Sequence, residues 1–163
     1  MKRYIRANDF DAVFSRDSLG REMAGETVQD AELLMVLAHD PDWDVRAGVA
    51  SNPATPIDIL YELAEDPREG VRQCVAMNPS TPMELVLQLM EDTSPEVRLS
   101  VIRRKDVIEE MFVRLAGDPD PLVRDWVAYN HRTPRYLLRQ LLTDSDANVR
   151  NSAKTTLESY GEF

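Results

Sequence analysis

The chain has 163 residues, 43% of them hydrophobic and 29% charged, and carries a net charge of −10. This length suits one domain, and the composition is ordinary for a folded soluble protein. The acidity argues against a general binder of nucleic acid or anionic membrane, which needs a cationic surface, and no window approaches the roughly 18–20 apolar residues of a membrane span.

The acid is unevenly placed. Residues 1–95 hold 8 Lys/Arg against 18 Asp/Glu, whereas residues 96–163 hold 11 of each. Cys74 is the only cysteine, so neither an intrachain disulfide nor a cysteine-built cluster can form. The opening Met1-Lys2-Arg3-Tyr4-Ile5-Arg6 lacks the apolar run of a signal peptide, and the expected compartment is cytoplasmic.

Residues 1–27 lie outside the pattern that follows and are expected to cap it. Asp9 could start a short helix presenting Phe10, Val13 and Phe14, before a loop at Gly20 and Gly25. A helix is then expected over 28–38, with Leu33, Leu34, Leu37 and Ala38 inward. From Asp40 a 26-residue phrase takes over: DPDWDVRAGVASNPATPIDILYELAE, then DPREGVRQCVAMNPSTPMELVLQLME from Asp66. Looser copies begin at Asp92 and Asp118, and a truncated one at Asp144. The Val-Arg pairs at 45–46, 71–72, 97–98, 123–124 and 149–150 keep this spacing without slippage. A fixed period of that size signals a stacked array.

Each repeat reads as two short helices. The first follows the Asp-Pro turn and carries Val45, Val49 and Ala50; it ends at Asn52-Pro53, where proline disfavours helix in the residue before it and Asn tolerates a left-handed helix end. The second is expected to take Thr55 as N-cap with Pro56 in the first turn, and Thr81 with Glu84 forms a capping-box pattern. Its inward columns run Ile59, Leu85, Met111, Leu137; Leu60, Val86, Phe112, Leu138; and Leu63, Leu89, Leu115, Leu141. The third repeat departs from the pattern at Ile102-Arg103-Arg104-Lys105-Asp106-Val107-Ile108. There Asp106 and Glu109 are expected to supply a substitute capping box and start the second helix one residue late. The fifth copy keeps its first helix, with Val149 and Ala153 inward, Lys154, Thr155 and Thr156 outward, and a frayed tail at 159–163. One repeat buries too few side chains to offset the entropy of ordering it, so neighbours must cover its faces.

The phrases Leu63-Ala64-Glu65-Asp66-Pro67, Val71-Arg72, Val75-Ala76, Asn78-Pro79 and Thr81-Pro82 resemble the leucine-rich repeat variant family, and Asp-Pro-x-x-x-Val-Arg is similar to HEAT repeats. The resemblance covers about residues 28–158. It implies an all-α fold, an α-solenoid superhelix of about five two-helix repeats forming a single domain with the cap. The variant family's prototype carries an N-terminal iron–sulfur cluster bound by cysteines. No cysteine precedes Cys74 here, so that property does not transfer and no cofactor is expected. HEAT-like arrays include DNA glycosylases and bilin lyases, but most are protein-binding scaffolds.

Two sets of residues invite a functional reading. Asp40, Asp66, Asp92, Asp118 and Asp144 each precede Arg46, Arg72, Arg98, Arg124 and Arg150 by six residues. These could form an anion-binding stripe; the preferred reading is a register-fixing ladder in which each Arg bridges carboxylates of its own and adjacent repeats and satisfies turn carbonyls. The variable columns gather Met77, Arg103, Trp126 and Tyr129, with Arg104 and Lys105 at the edge, which is the composition of an interface hot spot. Arg103, Arg104, Lys105, Arg132, Arg135 and Arg139 as phosphate contacts, with Trp126 or Tyr129 stacking on a base, would suit nucleic acid, a less favoured alternative.

No phosphate loop, metal-spaced His/Cys set or nucleophile elbow is present. A glycosylase would need an aromatic–carboxylate pocket, such as Trp126 with Asp125 or Asp118. The expected function is therefore non-catalytic protein binding, with a basic partner favoured by the acidic first half. An acidic inhibitor of a basic toxin is a variant of the same expectation.

Overall fold

The computed structural model describes residues 28–161, which form ten α-helices and no strand. The chain divides into two compact units, at Leu89 and Met90. The expected cap helix at Asp9–Phe14 lies outside the described residues.

The first unit holds α1 (Ala31–Leu37), α2 (Trp43–Ser51), α3 (Ile57–Leu63), α4 (Glu69–Met77) and α5 (Met83–Leu89). The second holds α6 (Pro95–Ile102), α7 (Glu109–Leu115), α8 (Pro121–Tyr129), α9 (Arg135–Leu141) and α10 (Ala147–Ser159). In the first unit α2 packs most extensively on α4; in the second, α8 packs on α10 and α6. The valine column is fully buried throughout: Val45 and Val71 in the first unit, Val97, Val123 and Val149 in the second. All twelve residues of the three inward columns on the second helices are buried as well.

Each first helix is launched by an Asp. Asp40, Asp66, Asp92, Asp118 and Asp144 each accept the N–H two residues on at 2.8 Å, an Asx turn that bends the chain into the helix. Asp42, Asp120 and Asp146 then cap the helices that follow. The opening helix starts at Ala31, three residues later than expected, because Asp30 takes the N-cap and accepts from Glu32 and Leu33.

The helix ends work differently from the sequence reading. Asn52, Asn78 and Asn130 are extended, with negative φ, and Gly161 alone among the described residues has a positive one. Asn is there for its amide. Asn78 Nδ2 donates to the carbonyls of Ala50 and Asn52 at 2.7 and 2.9 Å, and Asn52 Nδ2 to Val28 at 2.7 Å. Each Oδ1 accepts the N–H two residues on. The threonines are also redirected. Thr55, Thr81 and Thr133 donate their hydroxyls at 2.6 Å to Val49, Val75 and Val127, closing the last turn of the first helix. Pro56 and Pro134 occupy the N-caps of α3 and α9, with no side-chain cap bond.

In the third repeat α7 starts at Glu109, in the same phase as Ile57, Met83 and Arg135, not one residue late. The substitute capping box does not form, because both Asp106 carboxylate oxygens accept from Arg104 at 2.8 Å, and Ile108 takes the N-cap without a side-chain bond. At the other end, Leu157 stands where the first two repeats have Pro53 and Pro79, and α10 runs on through Ser159. Thr156 is buried, not outward as expected. It occupies the Asn phase, and its hydroxyl donates to Ala128 at 2.8 Å, just as Asn78 donates to Ala50. The expected fraying from residue 159 is not seen at Tyr160, whose hydroxyl donates to the His131 carbonyl.

Candidate functional site

The Arg and Asp columns are internally engaged. Arg46 grips Asp66 through Nε and Nη2 at 2.6 and 3.1 Å, Arg98 grips Asp118 at 2.7 and 2.8 Å, and Arg124 grips Asp144 at 2.8 and 2.9 Å. The carboxylate in each pair belongs to the next repeat. The link within a repeat runs to main chain instead: Arg46, Arg72, Arg98, Arg124 and Arg150 donate Nη1 to the carbonyls of Asp40, Asp66, Asp92, Asp118 and Asp144, at 2.7–2.8 Å. In Arg46, Arg98 and Arg124 both edges of the fork are thus used within the fold.

The Arg124–Asp144 pair contributes to the acid sensitivity of the second unit. Hydrogen bonding to Arg124 holds the Asp144 carboxyl below the usual carboxylate range against the opposing effect of burial, and Arg104 does the same for Asp106. A depressed folded-state value stabilises above the unfolded value and is lost as pH falls through the folded one. Stability should therefore decline on acidification below roughly pH 4. In acid titrations followed by circular dichroism, Asp144→Asn should lower stability at neutral pH and flatten that decline. An unchanged acid limb would exclude this pair as a contributor.

The hot-spot residues divide. Arg103, Trp126 and Tyr129 come together in the second unit, on the ends of α6 and α8. The Arg103 guanidinium lies 4.1 Å from the centre of the Trp126 ring, a cation–π distance. Trp126 meets Tyr129 edge-on, with centroids 6.0 Å apart and planes at 80°. Tyr129 is 58% exposed. Two further rings extend the row: His131 lies 6.3 Å from Tyr129, and Tyr160 lies 6.2 Å from His131, edge-on. The Arg135 guanidinium sits 4.8 Å over Tyr160. Ile102, Arg103, Trp126, Tyr129, Asn130 and His131 line an open concavity of about 310 Å³.

Arg104 is not part of this surface. It is buried at 7% exposure, occupies the column that holds Asn52, Asn78 and Asn130, and pairs with Asp106. Met77 is 48% exposed at the end of α4 in the first unit and is not among the lining residues. Lys105 is exposed. Arg132 is exposed but donates to the carbonyls of Arg104, Lys105 and Val107, bracing the irregular third-repeat turn. Sequence reasoning missed His131 and Tyr160. For Tyr160 a signal was present: Val149, Ala153, Leu157 and Tyr160 continue an i, i+4, i+8, i+11 stripe past the repeat's usual end.

Of the carboxylates considered for a glycosylase-like pocket, Asp118 is gripped by Arg98, and Asp125 precedes Trp126 but does not line the concavity. No group of three or more His, Cys, Asp or Glu side chains among the described residues could hold a metal ion. His39 bridges the Met35 carbonyl and Glu62, and Cys74 is half-buried. No described helix is long and apolar enough to cross a membrane.

Residues 43–68, one repeat, match the family model of the leucine rich repeat variant. The chain is similar to a solved structure described as a leucine-rich repeat variant with a novel repetitive protein structural motif, at a TM-score of 0.72 and 27% identity. The match covers 94% of this chain and 62% of that one, so the chain spans less than two thirds of that structure's length. It also resembles the YibA protein of E. coli, at a TM-score of 0.62 and 21% identity over 98% of this chain and 72% of that one, a likeness of fold alone. No curated protein matches. The resemblance drawn from the Val-Arg and Asn-Pro phrases therefore holds: this is a helical-repeat fold of the leucine-rich repeat variant kind.

Proposed function

We propose that this array of leucine-rich-repeat-variant-like helical repeats is a non-catalytic scaffold that binds a protein partner through the concavity of its second unit. One observation carries the reading. Three of the repeat-defining arginines, Arg46, Arg98 and Arg124, close on aspartates inside the fold, whereas Arg103, Trp126 and Tyr129 stand together at the surface around an open hollow. Aromatic and Arg anchors in a shallow pocket are where binding energy concentrates at protein interfaces.

Partners should be captured on immobilised wild-type chain and compared with Trp126→Ala, Arg103→Ala and the double variant. The double variant should lose at least about tenfold in affinity, since hot-spot truncations cost upwards of 1 kcal/mol each. Its circular dichroism should match wild type. Capture undiminished by both changes would remove the concavity from the function.

A second reading concerns the first unit, where the net-charge argument for a basic partner applies. Glu32, Asp58 and Glu84 repeat at one exposed position on α1, α3 and α5, beside exposed Met35, Ile57 and Tyr61. Acid alternating with apolar surface suits a basic amphipathic segment, and attraction there would speed encounter at low salt.

A further inference from the structure

We infer that the concavity of the second unit seats an acidic segment of the partner, with a carboxylate side chain on the outer edge of Arg103 and an adjacent apolar side chain against Trp126 and Tyr129. This rests on the interaction-surface reading above and adds the chemistry of the occupant.

The inference starts from a contrast among arginines. Arg46, Arg98, Arg124 and Arg104 each close their fork on an aspartate carboxylate of the chain itself. Arg103 does not: no carboxylate among the described residues pairs with it, and what holds it is the face of Trp126 at 4.1 Å. Stacking occupies the flat face of a guanidinium and leaves its in-plane N–H edge free to donate. That edge matches the two oxygens of a carboxylate. The ring also fixes the side chain in advance, so less rotamer freedom is lost when a ligand arrives.

The surroundings select the same sign. None of the six lining residues is acidic, His131 lies in the wall, and Lys105 is exposed two residues beyond Arg103. Apart from Asn130, the rest of the wall is apolar or aromatic, from Ile102, Trp126 and Tyr129. A hollow of about 310 Å³ is at the small end of ligand sites and holds one or two side chains. The net charge of −10 then argues for a short acidic stretch over a long polyanion. Beyond about 8 Å at physiological salt the local cations count for more than the acid elsewhere in the chain, whereas an extended polyanion would also meet that acid.

The test is a selection of random displayed peptides on the intact chain, with counter-selection on the Trp126→Ala, Arg103→Ala double variant. Wild-type-dependent peptides should be enriched in Asp or Glu next to an aliphatic or aromatic residue. Synthetic copies should lose about tenfold in affinity when their carboxylates become amides. Arg103→Lys, which keeps the charge but not the fork, should recover only part of the binding lost in Arg103→Ala.

Site-dependent peptides that are neutral or basic would overturn the acidic occupant while leaving the interaction surface standing. A selection yielding no site-dependent peptide would overturn both. Trp126-dependent binding of a single-stranded oligothymidylate tighter than that of any selected peptide would replace the protein segment with nucleic acid.

Discussion

Replacing Arg98 with Ala should cost about 3–5 kcal/mol of stability, the usual loss when one partner of a buried ion pair is removed. Arg98 is 8% exposed and Asp118 6%, and the two share hydrogen bonds of 2.7 and 2.8 Å. Without the guanidinium, the Asp118 carboxylate stays buried with no counter-charge, and the carbonyls of Asp92 and Thr93 lose a donor. Urea unfolding should show a midpoint at least about 1 M lower, given slopes of roughly 1–3 kcal/mol/M. The chain's two tryptophans make the site of the loss readable, because Trp126 reports on the second unit and Trp43 on the first. Following each alone, with the other changed to Phe, should place the early transition on Trp126. Adding Asp118→Asn to Arg98→Ala should restore part of the loss, since it removes the stranded charge. A loss below about 1 kcal/mol, the value of an exposed pair, would mean the ladder is decoration.

Much of this fold is readable in the sequence because burial repeats. A valine every 26 residues and three apolar columns on the second helices can be aligned without coordinates, and every one of those positions is buried. What could not be read was which heteroatom a polar side chain would choose. Thr55 before Pro56 has the composition of an N-cap, but its hydroxyl turns back to Val49, a choice fixed by the approach of two chain segments and not by local sequence. Arg104 shows the same limit at the site. Next to Arg103 and Lys105 it reads as part of an exposed basic run, although its phase, two repeats after Asn52, already put it in a buried column. Repeat phase was the better guide there. Trp126, Tyr129 and Arg103 were found because they lie in variable columns. His131 and Tyr160 were missed because a turn and a prolonged last helix bring them together outside any column.

Asn78→Ala should cost about 2–4 kcal/mol, and the same change at Asn130 far less. Both substitutions remove the same atoms, and the two sites differ in burial and in the hydrogen bonds those atoms make. Asn78 is 1% exposed and its Nδ2 serves two carbonyls, Ala50 and Asn52, while its Oδ1 accepts the Ser80 N–H. Truncation leaves these groups short of a partner, at about 1–3 kcal/mol for each buried one left unpaired. Asn130 is half-buried; its Oδ1 likewise accepts the N–H two residues on, from Arg132, but its Nδ2 makes one longer bond, 3.3 Å to Ile102. Asn78→Asp sharpens the comparison. It keeps the shape but points acceptor oxygens at two carbonyls and buries a charge, so near neutral pH it should destabilise at least as much as Ala. Equal losses at 78 and 130, or a tolerated Asn78→Asp, would show that the column is held by packing and helix-end geometry and not by its amides. The repeat would then owe its register to the Arg–Asp pairs alone.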